Sequence, residues 1–196
     1  QISAAAGAKP RQLRSLQIAI NREGKIDPSR RPRCRLDQIQ PATTQRALAA
    51  CRAALVGRGR LSADVALPEL APFPSSGEVL AFNGRHRGKP AILAHVFGTD
   101  PFPTSYTLIF TIRETEGRFG TVLSASLPQA TGEWGYLTGL SLTLGRASGA
   151  RDYITAGCPA MEGLRAAAFP LTRATFAFAG GPSLLTTVFG QCRARG

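Results

Sequence analysis

Chemically versatile side chains are scarce in this chain. It carries two histidines, one methionine and one tryptophan, and three lysines stand against 21 arginines. Its four cysteines include no C-x-x-C pair. A zinc knuckle needs two thiolates a few residues apart to reach one ion, and a thioredoxin-like redox site needs the same close pair, so both are disfavoured. The patterns G-x-S-x-G, G-x-G-x-x-G and G-x-x-x-x-G-K-[ST] are also missing. Their absence removes the usual signs of a serine nucleophile elbow and of a phosphate-cradling loop. No apolar run approaches the roughly 18 residues needed to cross a bilayer. No metal or cofactor is expected.

What is present in excess is positive charge. The formal net charge is +12, almost all of the cations are arginine, and Ala and Gly are frequent, a composition that suits a GC-rich genome. A field of this size draws polyanions such as acidic wall polymer, anionic lipid or nucleic acid. The plainer alternative is a solvated surface that keeps the protein soluble. The chain starts at Gln1 rather than Met, which reads as a processed start after removal of a signal peptide, or as a trimmed one.

Cys34, Cys51, Cys158 and Cys192 are an even set with three possible connectivities. Without metal spacing or a nearby histidine, two disulfides in an oxidising compartment are the expected state, and four buried free thiols are the alternative. Pairing neighbours gives Cys34 with Cys51 and Cys158 with Cys192. The first would tie a strand end to the following helix, and the second would clamp the C-terminal strand to an earlier strand.

Along the chain, Leu16, Ile18 and Ile20 alternate as in a half-buried strand, and a basic, turn-rich stretch follows. PATTQRALAACRAALVG is the one convincing helix, with Thr43 or Thr44 as cap, Gly57 as stop, and Leu48, Cys51 and Leu55 on its buried face. From Arg58 onward the pattern is of short strands separated by Gly/Pro turns. ELAPFPSSG reads as a connection, and Asn83-Gly84 as the tip of a hairpin. A single domain over 1–196 is expected, with segment 11–67 packed on the sheets of 78–196. Its fold class is mainly β: an antiparallel β-sandwich, jelly-roll-like or a partly open barrel, of roughly 8–10 strands with one α-helix near residues 43–56.

Two basic clusters are the candidate anion-binding residues. Arg30, Arg31, Arg33 and Arg35 flank the first cysteine, and Arg85, His86, Arg87 and Lys89 lie in the predicted hairpin. If folding joins them they make one face. Aromatic residues are not interleaved with these cations as single-strand binders require, so no specific nucleic acid is expected. The other histidine, His95, shares a strand face with Leu93 and Phe97 and reads as a core residue. A glycosidase would need two carboxylates about 5–10 Å apart. Glu78, Asp100, Glu133 and Asp152 are the nearest candidates, each beside a Pro, Gly or turn. Trp134 and Tyr136 could form a carbohydrate platform, but strand core and edge is the favoured reading.

The stretches INREGKI, ATTQRALAACRAALVGRG, LAFNGR, GKPAILAHV, YLTGLSLTLGR, AGCPA and FPLTRATFAF together resemble a family of secreted proteins of unknown function from high-GC bacteria. The resemblance covers most of the chain. It implies export and structural disulfides at the four cysteines, and it transfers no functional residue. The expectation is therefore a secreted or cell-envelope binding or structural module, meeting anionic wall polymer or an envelope protein through its basic loops. A secreted polysaccharide hydrolase using Asp100, Glu133 or Asp152 near His95 is the first alternative. A carrier of a small apolar ligand is the second.

Overall fold

In a computed structural model of the protein, residues 2–3, 11–65, 73–99, 103–127, 135–145, 153–159 and 166–193 are described. β1 (Ile2–Ser3), β2 (Leu13–Asn21) and β3 (Gly24–Ile26) precede two short helices, α1 (Leu36–Ile39) and α2 (Thr44–Cys51). β4 (Leu55–Val65), β5 (Phe73–His86), β6 (Lys89–Gly98), β7 (Thr104–Glu114) and β8 (Phe119–Ser126) follow as a meander. β9 (Gly135–Leu144), β10 (Ile154–Ala156), β11 (Ala166–Phe178) and β12 (Leu184–Arg193) come last.

Ten of these strands form one antiparallel sheet in the order β1-β9-β4-β5-β6-β7-β8-β2-β11-β12, and β3 pairs separately with β10. The fold is thus mainly β and antiparallel, as expected, in the form of a half-barrel. Alternation along each strand sends one set of side chains inward. Leu16 and Ile20 of β2, Val79 and Ala81 of β5, Ile92 and Ala94 of β6, Phe110 of β7, Leu123 of β8 and Phe176 of β11 meet in a single core. Strands so far apart in the sheet can share a core only because the sheet curls. Register shifts at Leu55/Gly57, Ser62/Ala63 and Pro170/Thr172 add local twist. Pro170 is tolerated because β11 pairs with β2 only from Thr172 onward, leaving the proline on a one-sided stretch.

The outer face of the sheet has two halves. Over β5, β6 and β7, the helices cover Leu80, Phe82, Leu93 and Ile109 with Ile39, Ala47, Ala54 and the cystine Cys34–Cys51, a second small core. Over β8, β2, β11 and β12 no helix is laid among the described residues. Both expected disulfides are present, with Cα–Cα distances of 5.5 Å for Cys34–Cys51 and 5.6 Å for Cys158–Cys192.

Three local expectations are corrected. The helix stops at Cys51 rather than near 56, passes through a 3-10 turn over Arg52–Ala54, and gives way to β4 at Leu55. Ladder pairing of Leu55 with Phe82 and Gly57 with Leu144 overrides the helical propensity of the Ala-rich run. Pro74–Gly77 is strand rather than connection. The β5–β6 hairpin turns at Arg87-Gly88, with φ of +49° and +78°, and not at Asn83-Gly84. Asn83 instead pairs with Ile92 inside the ladder, where its side chain has another task.

Candidate anion-binding surface

Asn83 is fully buried, and its amide is the pin on which the basic region hangs. Nδ2 donates to the carbonyls of Pro28 (2.9 Å), Arg31 (3.0 Å) and Pro32 (3.0 Å), and Oδ1 accepts from the Tyr153 hydroxyl at 3.4 Å. Beside it the Cys34 N–H donates to the Asn83 carbonyl at 2.8 Å, and Cys34 forms a parallel bridge with Gly84. Gly84 permits this approach: a Cβ there would lie 2.7 Å from Leu93 Cδ1 and 2.9 Å from the Cys34 oxygen. The segment 28–35 is therefore held across the end of β5 at one strand spacing, about 4.8 Å.

That crossing lays the backbone of the first predicted cluster along the strand end that leads into the second. Cys34 points inward, so Arg33 and Arg35 on either side of it are exposed, as are Arg85, Arg87 and Lys89, while Arg31 and His86 are partly exposed. Arg30 closes a 3-10 turn, and its side chain lies outside the described residues. Arg35 is held by a carboxylate: its Nε and Nη2 reach Asp37 at 3.1 and 3.0 Å. The Arg35 fork holds the Asp37 carboxyl below the usual carboxylate range. Among the described residues the remaining cations form no ion pair. Arg31 differs from them in that its Nε and Nη2 are buried with no hydrogen-bond partner among the described residues.

A second cationic region was not legible in the sequence. On the outer face away from the helices, Arg113 of β7, Arg118 of the β7–β8 turn and Arg173 of β11 line an open groove of about 510 Å³ with Gln17, Phe119, Thr175 and one carboxylate, Glu116. The Arg173 guanidinium stacks 4.7 Å from the Phe119 ring centroid, which fixes its fork over the groove. The three arginines are up to 60 positions apart and meet through the pairing of β2 with both β8 and β11. The polar alternation of each strand was their only linear trace.

The residues considered for other chemistry lie elsewhere. His95 has no exposed surface, both ring nitrogens lack a partner, and the opposing Thr107 hydroxyl is likewise buried and unpartnered. Burial alone holds the imidazole below its ordinary pKa, so it is neutral. It faces the second small core rather than a cleft. Glu78 pairs with Arg58 at 2.6 Å on the surface of β4–β5. Asp100, Glu133, Trp134 and Asp152 lie outside the described residues, and Tyr136 is in β9. The concave face of the sheet, where an apolar ligand would sit, is filled by Leu16, Phe110, Tyr153 and Phe176.

Among the described residues no group of three or more His, Cys, Asp or Glu side chains converges as metal ligands, and no helix is long and apolar enough to cross a membrane. Two closed disulfides fit an oxidising, extracytoplasmic environment. Compared with known proteins, the chain matches no family model, no curated protein and no solved structure.

Proposed function

We propose that this is an exported, non-enzymatic binding module of the cell envelope that holds anionic polymer through arginine. The carrying observation is the crossing pinned by Asn83, which lays the backbone of segment 28–35, with Arg31, Arg33 and Arg35, along the end of β5 that carries Arg85 and leads into the turn at Arg87 and Lys89. Guanidinium forks engage phosphate or carboxylate groups in pairs of charge-assisted hydrogen bonds, and a row of them suits a repeating polyanion better than a lone small anion. The Arg113–Arg118–Arg173 groove supplies a second contact on the same half-barrel. The resemblance to secreted proteins of high-GC bacteria and the two disulfides support export, and wall polymer is then the abundant polyanion at hand.

Co-sedimentation of the oxidised protein with isolated bacterial wall, titrated with salt, tests this reading. Binding at 50 mM salt that falls steeply by 0.5 M is the expected result. Arg85→Glu with Arg87→Glu is expected to lower that binding at least tenfold with an unchanged melting curve. Absence of binding at low salt would show that the charge serves solubility alone.

A further inference from the structure

The large apolar side chains exposed among the described residues are Leu171 (38%), Leu184 (56%), Leu185 (58%), Val188 (53%) and Phe189 (70%), and all five sit on β11 and β12. Among the described residues β12 is also an edge of the sheet, hydrogen-bonded to β11 alone. Edge strands in soluble proteins are blunted by charge, proline or brevity. This one is ten residues long, and between Leu184 and Gln191 it carries neither charge nor proline. At the far edge of the same sheet, β9 is covered by β1. Cys192 anchors the end of β12 through Cys158, so the exposed strand is held in place rather than frayed.

We infer that β12 is a self-association edge, pairing antiparallel with β12 of a second copy about a two-fold axis. The strand's own pattern supports that occupant. With the axis at Thr187, Leu185 of one copy opposes Phe189 of the other on the outer face, and Thr186 opposes Val188 on the inner face, so each bulky outer side chain meets an apolar mate. Unpaired main-chain groups of one edge satisfy those of the other. The polyanion assigned to the arginine surfaces gains nothing from this uncharged strip. Charge also gives the contact a signature. Two molecules of +12 repel, and this register sets Arg193 of one copy near Gly181 of the other, over which Arg11 is packed. Self-association therefore tightens as salt is added, the reverse of polyanion binding. The apolar side chains expose roughly 500 Å² per copy, scaling from the 150–250 Å² of a large side chain. That places the dimer among small, reversible interfaces, and a single two-fold contact closes at two copies.

The test is sedimentation equilibrium of the purified, oxidised full chain from 1 to 300 μM at 0.05 and 0.5 M NaCl. A monomer–dimer equilibrium at least threefold tighter in the higher salt is expected. Leu185→Lys with Phe189→Lys, both at exposed positions, should weaken it at least tenfold while leaving the far-UV spectrum and melting curve unchanged. As a check free of mutation, β12 amides should exchange more slowly at 300 μM than at 10 μM. A monomer throughout the range, species larger than a dimer, a dimer that dissociates in salt, or concentration-independent β12 exchange would each overturn the inference. Wall binding is read separately, so either proposal can fail alone.

Discussion

The β5–β6 and β11–β12 hairpins are built alike, each two long apolar strands in antiparallel register. Every residue from Val79 to Gly84 and from Ala91 to Val96 is buried, whereas no residue of β12 is. The difference lies in what is laid over them. The first hairpin sits mid-sheet, with the main core on one face and α1, α2 and the Cys34–Cys51 bridge on the other. The second closes the sheet, with β2 on one side and, among the described residues, no strand on the other. Local pattern makes a hairpin; the covering layer decides whether its second face is core or contact surface.

Removing the cover should show this most strongly. Cys34→Ser with Cys51→Ser is expected to cost about 4–6 kcal/mol: roughly 3 for closing a short loop, the rest for two hydroxyls replacing buried sulfurs. Cys158→Ser with Cys192→Ser, at partly exposed sites, should cost only the loop contribution of about 3–4 kcal/mol. Urea melts of both variants rank them. A second pair as costly as the first would break the comparison.

Next in size is Asn83→Asp, which presents a carboxylate to the carbonyls of Pro28, Arg31 and Pro32. We expect a loss of about 2–4 kcal/mol, together with weaker wall binding as segment 28–35 loosens. Stability that falls while binding is untouched would separate the pin from the anion surface.

His95 sharpens the same contrast through pH. Its folded pKa is depressed, so above about 6.5 it is neutral in both states and contributes no pH dependence. Below that value the unfolded chain takes up a proton that the folded chain refuses, and stability falls by up to about 1.4 kcal/mol per pH unit until the folded pKa is reached. Thermal melts from pH 7.5 to 4.5 should show this slope in the wild type and lose it in His95→Gln. The smallest effect belongs to the uncovered hairpin. Leu184→Ala is expected to change stability by less than about 0.5 kcal/mol, against about 2–5 kcal/mol for Leu93→Ala.

How much could be read from sequence follows the same division. Alternation at Leu16, Ile18 and Ile20 and the Gly/Pro punctuation revealed the antiparallel class because each is a local signal. Cysteine spacing revealed both bridges. Asn83-Gly84 misled because a turn preference was outweighed by the need for a buried amide and a close backbone crossing, which only the fold defines. How the two clusters lie was conditional on that crossing. The groove at Arg113, Arg118 and Arg173 depends on sheet order, which no window of sequence carries. LLTTVFGQ did hold an unused clue: its apolar residues fall on both faces, which suits a central strand, yet it lies at an edge.

The central claim is that the Asn83-pinned arginines form a polyanion surface. The most direct test is the salt dependence of binding to a defined anionic polysaccharide, such as alginate, for the wild type and for Arg85→Glu with Arg87→Glu. The account predicts a steep negative slope of log K against log salt in the wild type. It predicts a shallower slope and at least tenfold weaker binding at 50 mM salt in a normally folded variant. Equal slopes and equal affinities would contradict it.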